Sequence, residues 1–183
     1  MKLWLVRHAQ PLAAAGVCYG AMDVPADEQA TAAAVQALAD VLPPGLPVRT
    51  SPLRRCVQLA QALGELRPGP AARADPRLAE MDFGRWEGQP WQSLGRTEID
   101  RWMADFAHHR CGGGDSVASF MARVQGAVEE VRAAGADTVW VTHAGVVRAV
   151  RLLALGVAVP RHAGEWPVDG PGFGQWECID LLR

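Results

Sequence analysis

Two apolar runs constrain this chain more than any other feature. Leu3-Trp4-Leu5-Val6 is β-type and stops at Arg7-His8; Thr138-Val139-Trp140-Val141 is β-type and stops at Thr142-His143-Ala144-Gly145. Helical patterns lie between and after them. Alternating strands and helices imply a largely parallel sheet covered on both faces, hence a three-layer α/β/α sandwich. At 183 residues the chain is long enough for one well-cored domain and too short for two comfortable ones. Residues 1–183 are therefore read as a single domain.

The elements follow from periodicity and punctuation. Residues 2–6 read as a buried strand, and 9–27, with Pro11, Gly16, Gly20 and Pro25, as a long loop. Residues 28–42 carry Val35, Leu38, Val41 and Leu42 at helical spacing, stopped by Pro43, Pro44, Gly45 and Pro47. Val48-Arg49-Thr50 predicts a short strand. Ser51 is expected to cap the next helix, with Pro52 at its first position, running to about Leu66. A second short strand fits near Ala72-Arg73. Residues 77–115 are the least regular; a helix is expected around 91–106, and residues 85–112 read as a lid or insertion over the sheet's active edge. Gly112-Gly113-Gly114 reads as a flexible turn. Val117, Phe120, Met121, Val124, Val128 and Val131 mark an amphipathic helix capped by Asp115 or Ser116. A strand at 138–142, an apolar helix at 145–155 and two short strands after Pro160 complete the reading.

Composition excludes several partners. The formal net charge is −2, so no global field recruits nucleic acid or an anionic membrane, and any anion site must be local. Lys2 is the sole lysine, so the many arginines reflect codon bias and only their positions carry information. Cys18, Cys56, Cys111 and Cys178 form no CxxC pair, which fits reduced, structural thiols. His108-His109 with Cys111 lacks a second ligand pair at matching spacing, so no metal is expected. The N-terminal apolar run is too short for a signal-peptide core and nothing approaches a membrane span; a cytoplasmic location is the expectation.

Four pieces then point to chemistry. His8 and Arg7 end the first strand. Arg55 stands in the first turn of a helix, where unpaired N–H groups already favour an anion. Glu80, between Leu78-Ala79 and Met81, is an acid among apolar neighbours, suited to stay protonated as a general acid. His143 precedes Ala144-Gly145, small residues whose amides open a helix. Taken singly, each has a plain structural explanation: a strand cap, a solvated arginine, a loop carboxylate. Together they fall on one side of a parallel sheet, where open α/β sheets bind ligands. They supply a nucleophile, cationic donors for three oxygens, and an acid.

Those residues carry a family resemblance. Leu5-Val6-Arg7-His8-Ala9, Ser51-Pro52-Leu53-Arg54-Arg55-Cys56, Leu78-Ala79-Glu80, Gly114-Asp115-Ser116 with Phe120 and Arg123, and Val141-Thr142-His143-Ala144-Gly145 resemble, in order, the landmarks of the histidine phosphatase superfamily, phosphoglycerate-mutase-like branch. The stretch Glu80–Gly88 and the segment Val17-Cys18-Tyr19-Gly20 look most like α-ribazole phosphatases of cobalamin assembly. The resemblance implies one antiparallel strand near the C-terminus, and a phosphohistidine mechanism without cofactor or metal. In it His8 attacks, Arg7, Arg55, His143 and the Ala144 backbone bind the phosphoryl oxygens, and Glu80 handles the leaving-group proton. The partner is a small phosphorylated metabolite. Tyr19, Trp86 and Trp91 are expected to line its pocket. Alanine replaces the family's usual glycine at Ala9 and Ala144, Ala14 falls where an asparagine is common, and Asp115 replaces a glutamate. A mutase remains as an alternative, although few residues follow the second histidine motif; so does a non-catalytic phosphate-binding protein of the same fold.

Overall fold

A computed structural model describes residues 1–181. Five strands form one sheet: β1 (Lys2–Arg7), β2 (Val48–Thr50), β3 (Arg73–Ala74), β4 (Thr138–Thr142) and β5 (Trp176–Asp180), in spatial order β3-β2-β4-β1-β5. β1 runs parallel to β4, in register Leu3↔Thr138 through Arg7↔Thr142, and β2 is parallel to both β4 and β3. β5 is antiparallel to β1 and closes that edge. The register aligns the two strand ends, so His8 and His143 leave the sheet side by side.

The period-two alternation of the strands divides the core. Leu3 and Leu5 of β1 and Trp140 of β4 face one layer, built by α4 (Val117–Ala134) and α5 (Ala144–Ala154). Val6, Val139 and Val141 face the other, built by α1 (Glu28–Val41) and α2 (Arg54–Leu66). With both faces covered, β4 is buried at all five positions. α1 is capped by Asp27, whose side chain accepts from the Ala30 amide at 2.8 Å. α4 opens with a reciprocal capping box between Ser116 and Ser119 and closes on Gly135 in the left-handed region.

Four expectations are corrected. α2 begins at Arg54, with Leu53 in the cap position; Ser51 and Pro52 stay outside it, and Arg55 still lies in its first turn. The helix expected over 91–106 is split at Gly95 into a single turn, Trp91–Ser93, and α3, Arg96–Ala104. Among the described residues the tail after Pro160 holds one strand, β5; residues 166–175 instead wrap across the end of β1, where Gly174 N–H donates to the carbonyls of Arg7 and His8. Finally, Gly112-Gly113-Gly114 is a packing element. A Cβ on Gly112 (φ 57°) would lie 2.1 Å from the Phe83 carbonyl, and one on Gly114 would lie 2.3 Å from the Asp82 carbonyl. The triplet lets two backbones touch, and so fixes the 82–86 segment against the start of α4.

Candidate active site

His8 leaves β1 into a buried position, only 2 % exposed. Its Nδ1 lies 2.7 Å from the Ala9 carbonyl oxygen. A carbonyl only accepts, so Nδ1 carries the proton and Nε2 holds the lone pair. Burial, reinforced by the charges of Arg55 and Arg7, holds the His8 pKa down to about 3, against the opposing pull of the Ala9 hydrogen bond. The His143 ring lies 5.1 Å away, centroid to centroid, and is fully buried. Burial, with Arg55 beside it, also drives the His143 pKa well below the ordinary histidine value. Both imidazoles are thus neutral at pH 7.

Ser51 accounts for the displaced start of α2. Its Oγ pairs with His143 Nε2 at 2.8 Å and also accepts the Leu53 amide at 3.3 Å. The hydroxyl orients a ring across the sheet instead of capping a helix. Cys56, in the first turn of α2, places its thiol 3.5 Å from the same Nε2.

Two arginines flank the histidines. Arg55 is completely buried, and donates from Nη1 to the Met22 carbonyl at 2.7 Å and from Nη2 to the Gly20 carbonyl at 2.6 Å. Arg7 donates from Nη1 to the Pro171 carbonyl at 3.1 Å, and its guanidinium carbon stands 3.8 Å over the Phe173 ring. The Phe173 ring also lies 5.5 Å from that of His8. The Nε atoms of both arginines are buried without a hydrogen-bond partner in the protein. Neither guanidinium has a carboxylate in salt-bridge range among the described residues. Two guanidinium groups with buried, unpartnered Nε donors thus stand beside two neutral imidazoles, a donor set with the chemistry to receive an anion.

Glu80 is half-buried. Its Oε2 accepts the Gly145 amide at 3.1 Å and its Oε1 accepts the Met81 amide at 3.1 Å. A Cβ at position 145 would lie 2.1 Å from Oε1, so only glycine lets the carboxylate sit there. The Gly145 amide is therefore taken by Glu80 rather than offered to a substrate. Ala144 lines the cavity beside it. Ala9 and Ala144 both keep negative φ, so alanine fits where the family pattern has glycine. Ala14 is exposed and does not line the cavity.

A cavity of about 280 Å³ opens next to this cluster. Arg7, Glu80, Ala144 and Gly145 form its polar end, Tyr19 and Arg148 flank it, and Phe83, Trp91, Trp102, Phe106, Phe120 and Trp166 wall it. Tyr19 and Trp91 line this cavity; Trp86 does not. It is 1 % exposed, lies behind Trp91 and Trp102, and donates its indole N–H to Glu98 at 2.6 Å. Arg148, Trp166 and Phe173 escape the sequence reading. For Arg148 a signal exists, since it stands four residues after Ala144 and shares its helical face. Trp166 and Phe173 arrive by the irregular tail, which carries no such periodicity. Among the described residues no three His, Cys, Asp or Glu side chains gather as a metal-binding group, His108 and His109 included. All four cysteines are free.

The fold and this donor set suit a phosphoryl-handling α/β/α enzyme. Comparison with known proteins agrees: the sequence pattern of the histidine phosphatase superfamily (branch 1) matches residues 3–167. The chain belongs to that superfamily and is a phosphatase. A Hydrogenobacter thermophilus protein named "Putative phosphoserine phosphatase 2" is 26% identical over 164 residues, 86% of this chain and 80% of that protein. Among solved structures, TTHB049 from Thermus thermophilus superposes with a TM-score of 0.75 at 32% identity, covering 100% of this chain and 95% of that one. Mycobacterial glucosyl-3-phosphoglycerate phosphatase Rv2419c, in complex with VO3, gives 0.80 at 26% identity, over 98% and 92% of the two chains. No helix among the described residues is long and apolar enough to cross a membrane.

Proposed function

We propose that this phosphatase hydrolyses phosphomonoesters of a small metabolite through a phosphohistidine on His8, without a metal. The observation that carries the reading is the pair of guanidinium groups, Arg7 and Arg55, whose buried, unpartnered Nε–H groups flank a neutral imidazole with a free Nε2. His8 Nε2 attacks phosphorus in line with the ester oxygen, forming the N–P bond as the P–O bond breaks. Arg7, Arg55 and His143 hold the non-bridging oxygens and stabilise their charge in the transition state. Glu80 gives its proton to the departing alkoxide, then accepts one from the water that attacks the phosphohistidine. Fixed cations do the electrostatic work a divalent ion does elsewhere.

We further infer α-ribazole 5′-phosphate, or a related cobalamin precursor, as the substrate, handled in the cytoplasm. The resemblance of Glu80–Gly88 to α-ribazole phosphatases supports it, as does the aromatic wall of the cavity, suited to a base-bearing ribose. Residues 85–112 serve as the insertion that supplies much of this wall. The relatives' names point to other phosphate esters, phosphoserine and glucosyl-3-phosphoglycerate, so the decisive experiment is a panel. Purified protein in EDTA should hydrolyse p-nitrophenyl phosphate, and its kcat/KM should be highest for α-ribazole phosphate. A preference for phosphoserine, a phosphoglycerate or a phosphoprotein would overturn the substrate assignment. Loss of all activity in EDTA would overturn the metal-free mechanism.

A further inference from the structure

Arg123 lies on α4, and phosphoryl transfer as described above leaves it without a task. Its guanidinium rests 4.9 Å over the Phe120 ring. Nη1 donates to the carbonyls of Arg77 (3.0 Å) and Ala79 (2.8 Å), and Nη2 to that of Glu80 (3.3 Å). Three carbonyls from the four residues ending at Glu80 thus converge on one rigid, planar donor set. That segment has little regular structure of its own, only the single turn Pro76–Leu78.

Asp115 completes the device. Its Oδ2 accepts from Arg123 Nη2 at 3.2 Å and from the Asp82 amide at 3.2 Å, while its own amide donates to the Asp82 carbonyl at 2.7 Å. Ser119 Oγ donates to Oδ1 at 3.2 Å. The chain is therefore tied to the start of α4 on both sides of Glu80. The close approach at Gly114 explains why aspartate is long enough here. The other end of the arrangement is equally tight, because the Glu80 carboxylate meets Gly145 where no Cβ fits.

We propose that Arg123, held by Asp115, is the positioning residue for Glu80: it sets the acid's backbone so that the carboxyl reaches the leaving oxygen. The proposal rests on the acid role assigned to Glu80 above. Arg123 acts through the backbone, from outside the reacting atoms. Proton transfer requires hydrogen-bond reach, and a displacement of about 1 Å can cost on the order of 10²-fold. Loss of positioning should therefore appear only where protonation of the leaving group limits the rate.

The test compares Asp115→Asn and Arg123→Lys with wild type on two esters, an alkyl phosphate and p-nitrophenyl phosphate, using kcat/KM and the single-turnover rate of phosphoenzyme formation. The expected result is a loss of roughly 10- to 100-fold on the alkyl ester and under about 3-fold on the nitrophenyl ester. Asp115→Asn added to Glu80→Gln should cost almost nothing more, because the positioned group is already gone. Equal losses on both esters, or losses that multiply with Glu80→Gln, would overturn the positioning role while leaving the phosphatase mechanism standing. A Glu80→Gln enzyme without leaving-group dependence would remove the acid itself, and the proposal with it. Should Arg123→Lys fail to fold, the isosteric Asp115→Asn decides.

Discussion

A buried histidine is a nucleophile only while it is unprotonated, and two features keep His8 so. The Ala9 carbonyl fixes the proton on Nδ1, and burial with two arginines nearby makes a second proton costly. In the proposed mechanism the complementary task falls to Glu80, whose two carboxyl oxygens are held in place by the Met81 and Gly145 amides. Replacing it by glutamine should slow hydrolysis of alkyl esters by roughly 10²–10⁴-fold and of p-nitrophenyl phosphate much less, since that leaving group needs little protonation. Equal losses on both would remove Glu80 from the acid role. At this scale Arg7, His8, Arg55 and His143 can be picked out of the sequence because each sits at a strand end or helix start marked by local pattern, whereas Glu80 lies in an irregular stretch and is marked only by its apolar neighbours and the family resemblance. Trp86 is misplaced, because a sequence shows an aromatic residue but not which row of a packed wall it occupies.

At the scale of elements, strands and long helices can be read from periodicity, and errors gather where two explanations fit one motif. Ser-Pro before a helical pattern is a good cap signal, yet Ser51 turns to His143 across the sheet, a pairing between residues 92 positions apart. The tail reads as two strands, whereas residues 166–175 are shaped by contacts to Arg7, His8 and Arg148 that no local pattern encodes. Trp91 illustrates what an isolated turn can contribute. It stands on a single turn, 37 % exposed, with its ring edge-on to Phe83 at 5.2 Å. Trp91→Ala should lower kcat/KM for α-ribazole phosphate by about tenfold, given roughly 0.5–1.5 kcal/mol for an aromatic pair beyond its buried area. The loss on a small phosphate ester such as glycerol phosphate should be much smaller. A uniform loss would mean that the residue shapes the fold and not the substrate.

For the molecule as a whole, burying two neutral histidines comes at the expense of acid stability. The folded protein holds His8 at about 3, whereas an unfolded histidine titrates near 6.5, so the unfolded chain binds the extra proton first as pH falls. The stability this neutral histidine provides is full above about 6.5 and is lost progressively down to about 3. At pH 5 the His8 share amounts to about 2 kcal/mol, and His143 acts in the same direction. Denaturant unfolding at pH 7 and pH 5 should show that loss, and His8→Gln should reduce it. A stability that does not change across this range would contradict the neutral, buried assignment.

The sandwich itself is legible because alternation of strands and helices in a chain of this length leaves few other architectures. The aromatic wall of the cavity is legible only at Tyr19 and Trp91, because Trp102, Phe106, Phe120 and Trp166 converge on it from separate segments. The central claim concerns one bond, between phosphorus and His8. Rapid quench of the enzyme with ³²P-labelled phosphomonoester should trap label that is acid-labile and base-stable, and this label should be absent from His8→Ala, which should remain folded but inactive. A wild-type enzyme that turns over without ever carrying such label, or a His8→Ala enzyme that keeps most of its activity, would contradict the account.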